Sequence, residues 1–207
     1  MTRRNFAARA WRRIASGLAA LTFAAMILPP VAAGAETVAG TSWLPMRQTM
    51  AAPKGFRDVC SRYDWACASG RGHAMNTDAT LKLAKTTNSQ INRTTRQVAD
   101  DRQYGGADTW ALPTARGGDC EDFVLLKKKV LVSQGIPPET LLIATVLDRK
   151  RAPHAVLILR TDAGDFVLDN LRNQIKHWTE TGYTFLRMQD PKAPRRWHAV
   201  FAGGAFS

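Results

Sequence analysis

The sequence predicts an α+β domain, with helices followed by a run of antiparallel strands. Three observations carry this. Leu81, Ala84, Ile91 and Val98 recur at roughly helical spacing, and Asp119 to Gln134 forms a second helical stretch closed by Gly135 and Pro137-Pro138. Leu141 to Leu147, His154 to Arg160 and Asp165 to Asp169 are short segments rich in Val, Ile and Leu. Thr161-Asp-Ala-Gly164, between the last two, has the composition of a hairpin turn.

The remaining elements follow in order. Glu36 to Lys54 has no clear period and reads as an extended lead-in. Asp100 to Gly118 is punctuated by glycine and proline and reads as loop. Tyr183 to Met188 and Trp197 to Phe201 are further strand candidates. Lys127-Lys-Lys129 reads as the solvated face of the second helix, and Arg149-Lys-Arg151 as a polar loop.

The formal charge of +12 does not describe one basic surface. Five arginines, Arg3 to Arg13, precede the first acidic residue, Glu36, which leaves +7 on residues 36–207. Ile14 to Ala35 is uncharged, holds the apolar run Leu18 to Leu28, and ends in Pro29-Pro30 and Ala33-Gly-Ala35. A basic start, a short apolar run and a small-residue exit are the parts of a secretory signal. The apolar run is shorter than the ~20 residues a bilayer span needs. The expectation is a signal peptide at residues 1–35, cleavage after Ala35, and one domain at 36–207 that is periplasmic or secreted, with no transmembrane segment after processing. The basic turn Lys192 to Arg196 lacks interleaved aromatics, so nucleic-acid binding has no support. His73, His177 and His198 show no ligand spacing with cysteines, so zinc has none either.

Export changes how the three cysteines read. Cys60 and Cys67 would stand about 10 Å apart along one straight helix, too far for a bridge, whereas a turn between them allows a disulfide. The remaining thiol, Cys120, lies where a loop enters a helix. It is either a small buried core residue or a nucleophile, and a helix N-terminus favours its thiolate. Asp119 suits the N-cap position, and Gly117-Gly118 leave the backbone open to close approach by substrate. A nucleophilic cysteine needs a base and an orienting group. A four-residue turn at Thr161 to Gly164 pairs Arg160 with Asp165 and sets His154 opposite Leu171. Asp169 then shares a face with His154, diagonally placed. Cys120, His154 and Asp169 are the candidate catalytic residues.

These residues resemble a known family. Trp110-Ala-Leu-Pro113, Gly117-Gly-Asp-Cys-Glu-Asp-Phe123, Gly135-Ile-Pro-Pro138, His154-Ala-Val-Leu157 and Val167-Leu-Asp-Asn-Leu171 are similar to the bacterial transglutaminase-like cysteine proteinases. The resemblance implies a papain-like, transglutaminase-type core with the nucleophile's helix packed on an antiparallel sheet. It implies Cys120 as nucleophile, His154 as base and Asp169 as orienter. The LapG-like members work in the periplasm and clip large surface adhesins. The implied substrate is therefore a protein, with a surface adhesin as one candidate and an inner-membrane receptor as a candidate regulator. The chemistry needs no cofactor. The resemblance also implies calcium on the acidic residues flanking the nucleophile, here Asp119 and Glu121. Carboxylates beside a thiol disfavour its thiolate, and a hard cation offsets that charge. The alternative is that Asp119 caps the helix while Glu121 and Asp122 complement its dipole.

In the implied mechanism, the thiolate forms a thioester that water resolves. The Cys120 backbone N–H is one oxyanion donor and the Trp110 indole N–H a candidate second, packing beneath its loop being the alternative for Trp110. Two rivals remain: an acyl transferase, in which an amine replaces water, and a non-catalytic periplasmic binding module.

Overall fold

A computed structural model describes residues 42–70, 77–106 and 108–206. The secretory signal expected at residues 1–35 lies outside them. The described residues fall in one unit, Val38–Ser207. Among them no helix is long and apolar enough to cross a membrane.

In chain order the elements are β1 (Thr49–Met50), α1 (Val59–Arg62), α2 (Thr77–Thr94), α3 (Asp100–Tyr104), α4 (Cys120–Ser133), β2 (Leu141–Leu147), β3 (Pro153–Thr161), β4 (Gly164–Asp169), β5 (Arg172–His177), β6 (Thr184–Asp190) and β7 (Ala193–Ala202). The strands form one antiparallel sheet in the order β1-β7-β6-β2-β3-β4-β5. Both faces of its centre are covered. Leu141, Ile143, Leu157 and Leu159 pack toward the helices. Leu142, Ala144, Val156 and Ile158 pack on the other face with Leu44, Trp178, Tyr183 and Phe185. Strands buried on both faces read as continuous apolar runs, which is why β2 and β3 are plain in the sequence.

The expected hairpin forms with Arg160 opposite Asp165 and Leu157 opposite Leu168. Arg160 holds Asp165 through two hydrogen bonds, Nε–Oδ1 at 2.8 Å and Nη2–Oδ2 at 2.7 Å, and Leu44 N–H donates to Asp165 Oδ2 at 2.8 Å. The bidentate pair fixes the turn end of the register.

Three departures from the sequence reading have physical causes. Strand β5, Arg-Asn-Gln-Ile-Lys-His, carries little apolar signal because it is the sheet's polar edge. Within the stretch read as loop, Asp100–Tyr104 closes a short helix that ends on Gly105 at φ 77°. Lys127 and Lys128 are not a solvated face: both are fully buried, while Lys129 is exposed. Helix α4 lies between β3 and α2, so only a narrow strip of it meets water. Lys128 Nζ donates to Gln189 Oε1 at 3.1 Å. Lys127 Nζ stacks over the Phe123 ring at 5.7 Å, and burial lowers both lysines to a pKa of about 7.

Helix α2 shows the same effect in a milder form. Its buried face includes Thr80, Thr87 and Asn88 beside Ala84 and Ile91. Asn88 Nδ2 donates to the Arg172 and Asn173 carbonyls at 2.9 and 3.2 Å, so polar residues join α2 to β5. The chain breaks at Tyr63 (φ −137°, ψ 89°) between α1 and a short 3₁₀ turn, Asp64–Cys67. That break sets Cys60 and Cys67 at a Cα separation of 5.4 Å, joined by a disulfide.

Candidate active site

Helix α4 starts at Cys120 because the chain before it cannot continue as helix. Asp119 at the N-cap is extended, at φ −100° and ψ −163°, and makes no side-chain cap bond. Gly117 has φ 121°, and a Cβ there would lie 2.1 Å from the Arg96 carbonyl oxygen. At Gly118 a Cβ would meet Asp122 Oδ2 at 2.4 Å. The two glycines thus make room for the chain's own Arg96 and Asp122. Val98 N–H donates to the Gly118 carbonyl at 2.9 Å, which ties the segment after α2 to the start of α4.

Cys120 is the free cysteine and is half-buried. Its Sγ donates to Glu121 Oε2 at 2.8 Å. Burial pushes the thiol pKa well up, and the Glu121 and Asp119 charges push it further, against a smaller opposite pull from the Ala155 N–H. The helix-terminus preference for thiolate is therefore overridden. The dipole is worth about 0.3–1 kcal/mol, less than desolvation plus adjacent like charge.

His154 stands on β3 and Asp169 at the end of β4. His154 Nε2 and Asp169 Oδ1 are 2.9 Å apart, and both residues are buried. With Nε2 held by the carboxylate, Nδ1 is the nitrogen left for a thiol. Asp169 accepts two further hydrogen bonds: Leu171 N–H on Oδ1 at 2.9 Å and the Tyr183 hydroxyl on Oδ2 at 2.5 Å. Burial opposes its ionisation, but the His154 hydrogen bond and charge, with Tyr183 and Leu171, outweigh this and hold the carboxyl below the usual range. A pocket of about 330 Å³ brings Asp119, Cys120, His154 and Leu171 together. A second, of about 460 Å³, continues past His154 and is lined by Trp110, Glu121, Ala155 and Arg187. Cys120 and His154 thus line one pocket, and Asp169, buried outside its lining, reaches it through the hydrogen bond to His154.

Trp110 differs from the oxyanion role considered for it. Its indole N–H donates to Asp108 Oδ1 at 3.1 Å, and the ring, only 2% exposed, packs edge-on against Phe56 at 5.4 Å. In this arrangement it is a packing residue, with its donor already engaged.

The acidic residues also sort differently. Asp100, Asp119 and Asp122 each offer an oxygen, and the three lie within 4.8 Å of one another. Glu121 is outside this group; its carboxyl accepts from the thiol and also lies against Asp119. Asp100 Oδ1, Asp119 Oδ1 and Asp122 Oδ2 are buried and have no hydrogen-bond partner among the described residues. Burial raises all three carboxyls, Asp119 and Asp122 to about 7; the Glu121 carboxyl adds to it at Asp119, and the Asp119 charge adds to it at Asp100 and Asp122. Three orphaned, crowded, hard oxygen donors fit a calcium-type cation. Asp100 had no signal in the sequence, since it lies on a segment read as loop. From the sequence Asp122 reads as a dipole partner. Tyr183 reads only as the start of a strand.

The family model described as bacterial transglutaminase-like cysteine proteinase matches residues 46–204. The chain belongs to this family. The proteinase is accordingly a cysteine peptidase with a transglutaminase-like fold, and its mixed helix and antiparallel-sheet architecture is consistent with that. Among solved structures it is similar to Legionella pneumophila LapG in a calcium-bound form, at 22% identity over 61% of this chain and 75% of that one, with a TM-score of 0.49. An EGTA-treated form of the same protein gives 24% identity over 54% and 66% of the two chains and a TM-score of 0.45. No curated protein matches the sequence of this proteinase.

Proposed function

We propose that this proteinase is exported and hydrolyses a protein substrate through a Cys120-His154-Asp169 triad. The observation that carries the reading is the buried 2.9 Å pair between His154 Nε2 and Asp169 Oδ1, whose histidine lines the same pocket as Cys120. His154 Nδ1 takes the proton from Cys120 Sγ as substrate binds. Sγ attacks the scissile carbonyl carbon, and the oxyanion meets the Cys120 backbone N–H at the start of α4. His154 returns the proton to the leaving amine, which departs and leaves a thioester. Water, deprotonated by His154, attacks the thioester and releases the acid with the free thiol. Asp169 holds the imidazole in orientation and stabilises its cationic form.

Calcium is the proposed ion for Asp100, Asp119 and Asp122, with Glu121 near enough to contribute. Bound there, it would neutralise the carboxylates that now disfavour the Cys120 thiolate. The signal-like residues 1–35 support a periplasmic or secreted location. A large surface adhesin is the proposed substrate class, with biofilm control as the setting and an inner-membrane receptor as the proposed regulator.

The test compares exported and surface proteins from cells carrying the wild type and Cys120→Ala. One surface protein shortened only in the wild type is the expected result, with the cleavage suppressed by a calcium chelator. Identical protein patterns, together with a Cys120 that a thiol-reactive peptide labels no faster than a free thiol, would overturn the reading.

A further inference from the structure

We propose that Tyr183 is a positioning residue of the triad, fixing the carboxylate plane of Asp169 so that Oδ1 stays aimed at His154. This rests on the triad reading above. A carboxylate rotates about its last side-chain bond, and its terminal torsion is broad. At Asp169 one oxygen alone would not stop that rotation: Oδ1 already serves both His154 Nε2 and Leu171 N–H, each at 2.9 Å. The Tyr183 hydroxyl donates to the other oxygen, Oδ2, at 2.5 Å. Donors on both oxygens hold the plane.

The tyrosine is itself held. Gly182 turns the chain at φ 71°, and Tyr183 N–H donates to Thr181 Oγ1 at 3.1 Å. The Tyr183 ring, 3% exposed, meets the His154 imidazole edge-on, with centroids 6.0 Å apart at 86°. One side chain therefore pins the orienting carboxylate and walls one side of the base. The contact joins the chain entering β6 to the end of β4, elements separated in the sheet by β2 and β3.

The charged and titratable groups facing Asp169 are His154 from β3, Tyr183 ahead of β6, with Arg172 from β5 beside its hydroxyl, and Lys127 from α4. Of these, Tyr183 is the one that binds Oδ2. Its removal leaves that oxygen buried with no donor, and so shifts Asp169 toward its protonated form.

Tyr183→Phe deletes the hydroxyl and keeps the ring. The expected result on the full chain is a fall in kcat of about tenfold with KM changed less than about twofold. The acid limb of the pH profile moves to higher pH, and the Asp169 carboxyl, followed by ¹³C NMR, titrates at higher pH than in the wild type. Phe185→Leu, a buried change two residues on, controls for packing: it lowers the melting temperature and leaves the pH profile in place. An unmoved Asp169 titration in Tyr183→Phe, or a pH shift equally present in Phe185→Leu, overturns the proposal. A Cys120→Ala variant that still cleaves would instead overturn the triad reading on which it stands. The carboxyl titration reads the tyrosine's hold on Asp169 in either event.

Discussion

Asp169→Asn isolates the charge of the proposed orienting residue from its shape. An amide can reproduce most of the hydrogen bonds. With oxygen at the Oδ1 position it still accepts from His154 Nε2–H and Leu171 N–H, and the amide nitrogen donates to a Tyr183 hydroxyl that has turned to accept. Nδ1 of His154 thus stays free for the thiol. What is lost is the attraction between the carboxylate and the imidazolium formed when Cys120 gives up its proton. Two charges about 4 Å apart attract by about 4 kcal/mol at an effective dielectric near 20. A neutral hydrogen bond of about 1 kcal/mol remains, so the net loss is about 3 kcal/mol. That corresponds to a fall in kcat of about a hundredfold. Steady-state kinetics on the cleaved protein, with the rate of Cys120 alkylation across pH 6–9 as a substrate-free companion, measures it. A loss smaller than about threefold, or a raised KM at unchanged kcat, would refute the reasoning, because the buried carboxylate would then carry no charge used in the reaction.

Other outcomes follow from the same structure. In the metal-free protein Asp119 and Asp122 titrate at about 7, against about 4 in an unfolded chain. The folded state therefore binds more protons over that interval, and stability falls as pH rises from about 4 to about 7. Calcium should raise the melting temperature more at pH 8 than at pH 5, and Asp122→Asn should blunt the difference; a calcium-insensitive melting temperature at pH 8 would exclude the site. Gln189→Leu removes a buried hub whose Oε1 accepts from Lys128 and Ile143 and whose Nε2 donates to the Pro194 carbonyl at 2.8 Å. With donors left unpaired, urea unfolding should register a loss of about 3 kcal/mol, and a change below about 1 kcal/mol would count against the hub. Replacing both Cys60 and Cys67 by serine opens a short loop, and the expected loss is about 2.5 kcal/mol. Cleavage should persist at low temperature, since neither cysteine lines the pockets at Cys120 and His154, and abolished cleavage in a folded variant would contradict this.

What a reader of the bare sequence can obtain here is local. The β3–β4 hairpin is legible because a strand alternates with period two, so fixing the turn at Thr161 to Gly164 fixes which residues share a face. From that arithmetic His154 and Asp169 meet, and they are found 2.9 Å apart. Cys120 at a helix start is legible for the same reason: the glycines, the aspartate and the apolar run after them are all neighbours in sequence. The mixed α+β class also follows from local periods.

What lay beyond the sequence depends on neighbours brought from far along the chain. Lys127 and Lys128 look like a solvated strip until β3 and α2 close over α4, after which desolvation governs them. The Cys120 thiol looks poised as a thiolate until burial and the Glu121 carboxylate are added. Asp100 reaches Asp119 and Asp122, and Tyr183 reaches Asp169, by routes that no period encodes. The sequence by itself determined the fold class, the family and the candidate residues Cys120, His154 and Asp169, because each is written in short-range pattern or motif. The tertiary structure decided the direction in which the Cys120 and Asp169 pKa values move, the carboxylate cluster and the Tyr183 hydrogen bond to Asp169, because electrostatic free energies depend on burial and on charges a few ångströms away in space.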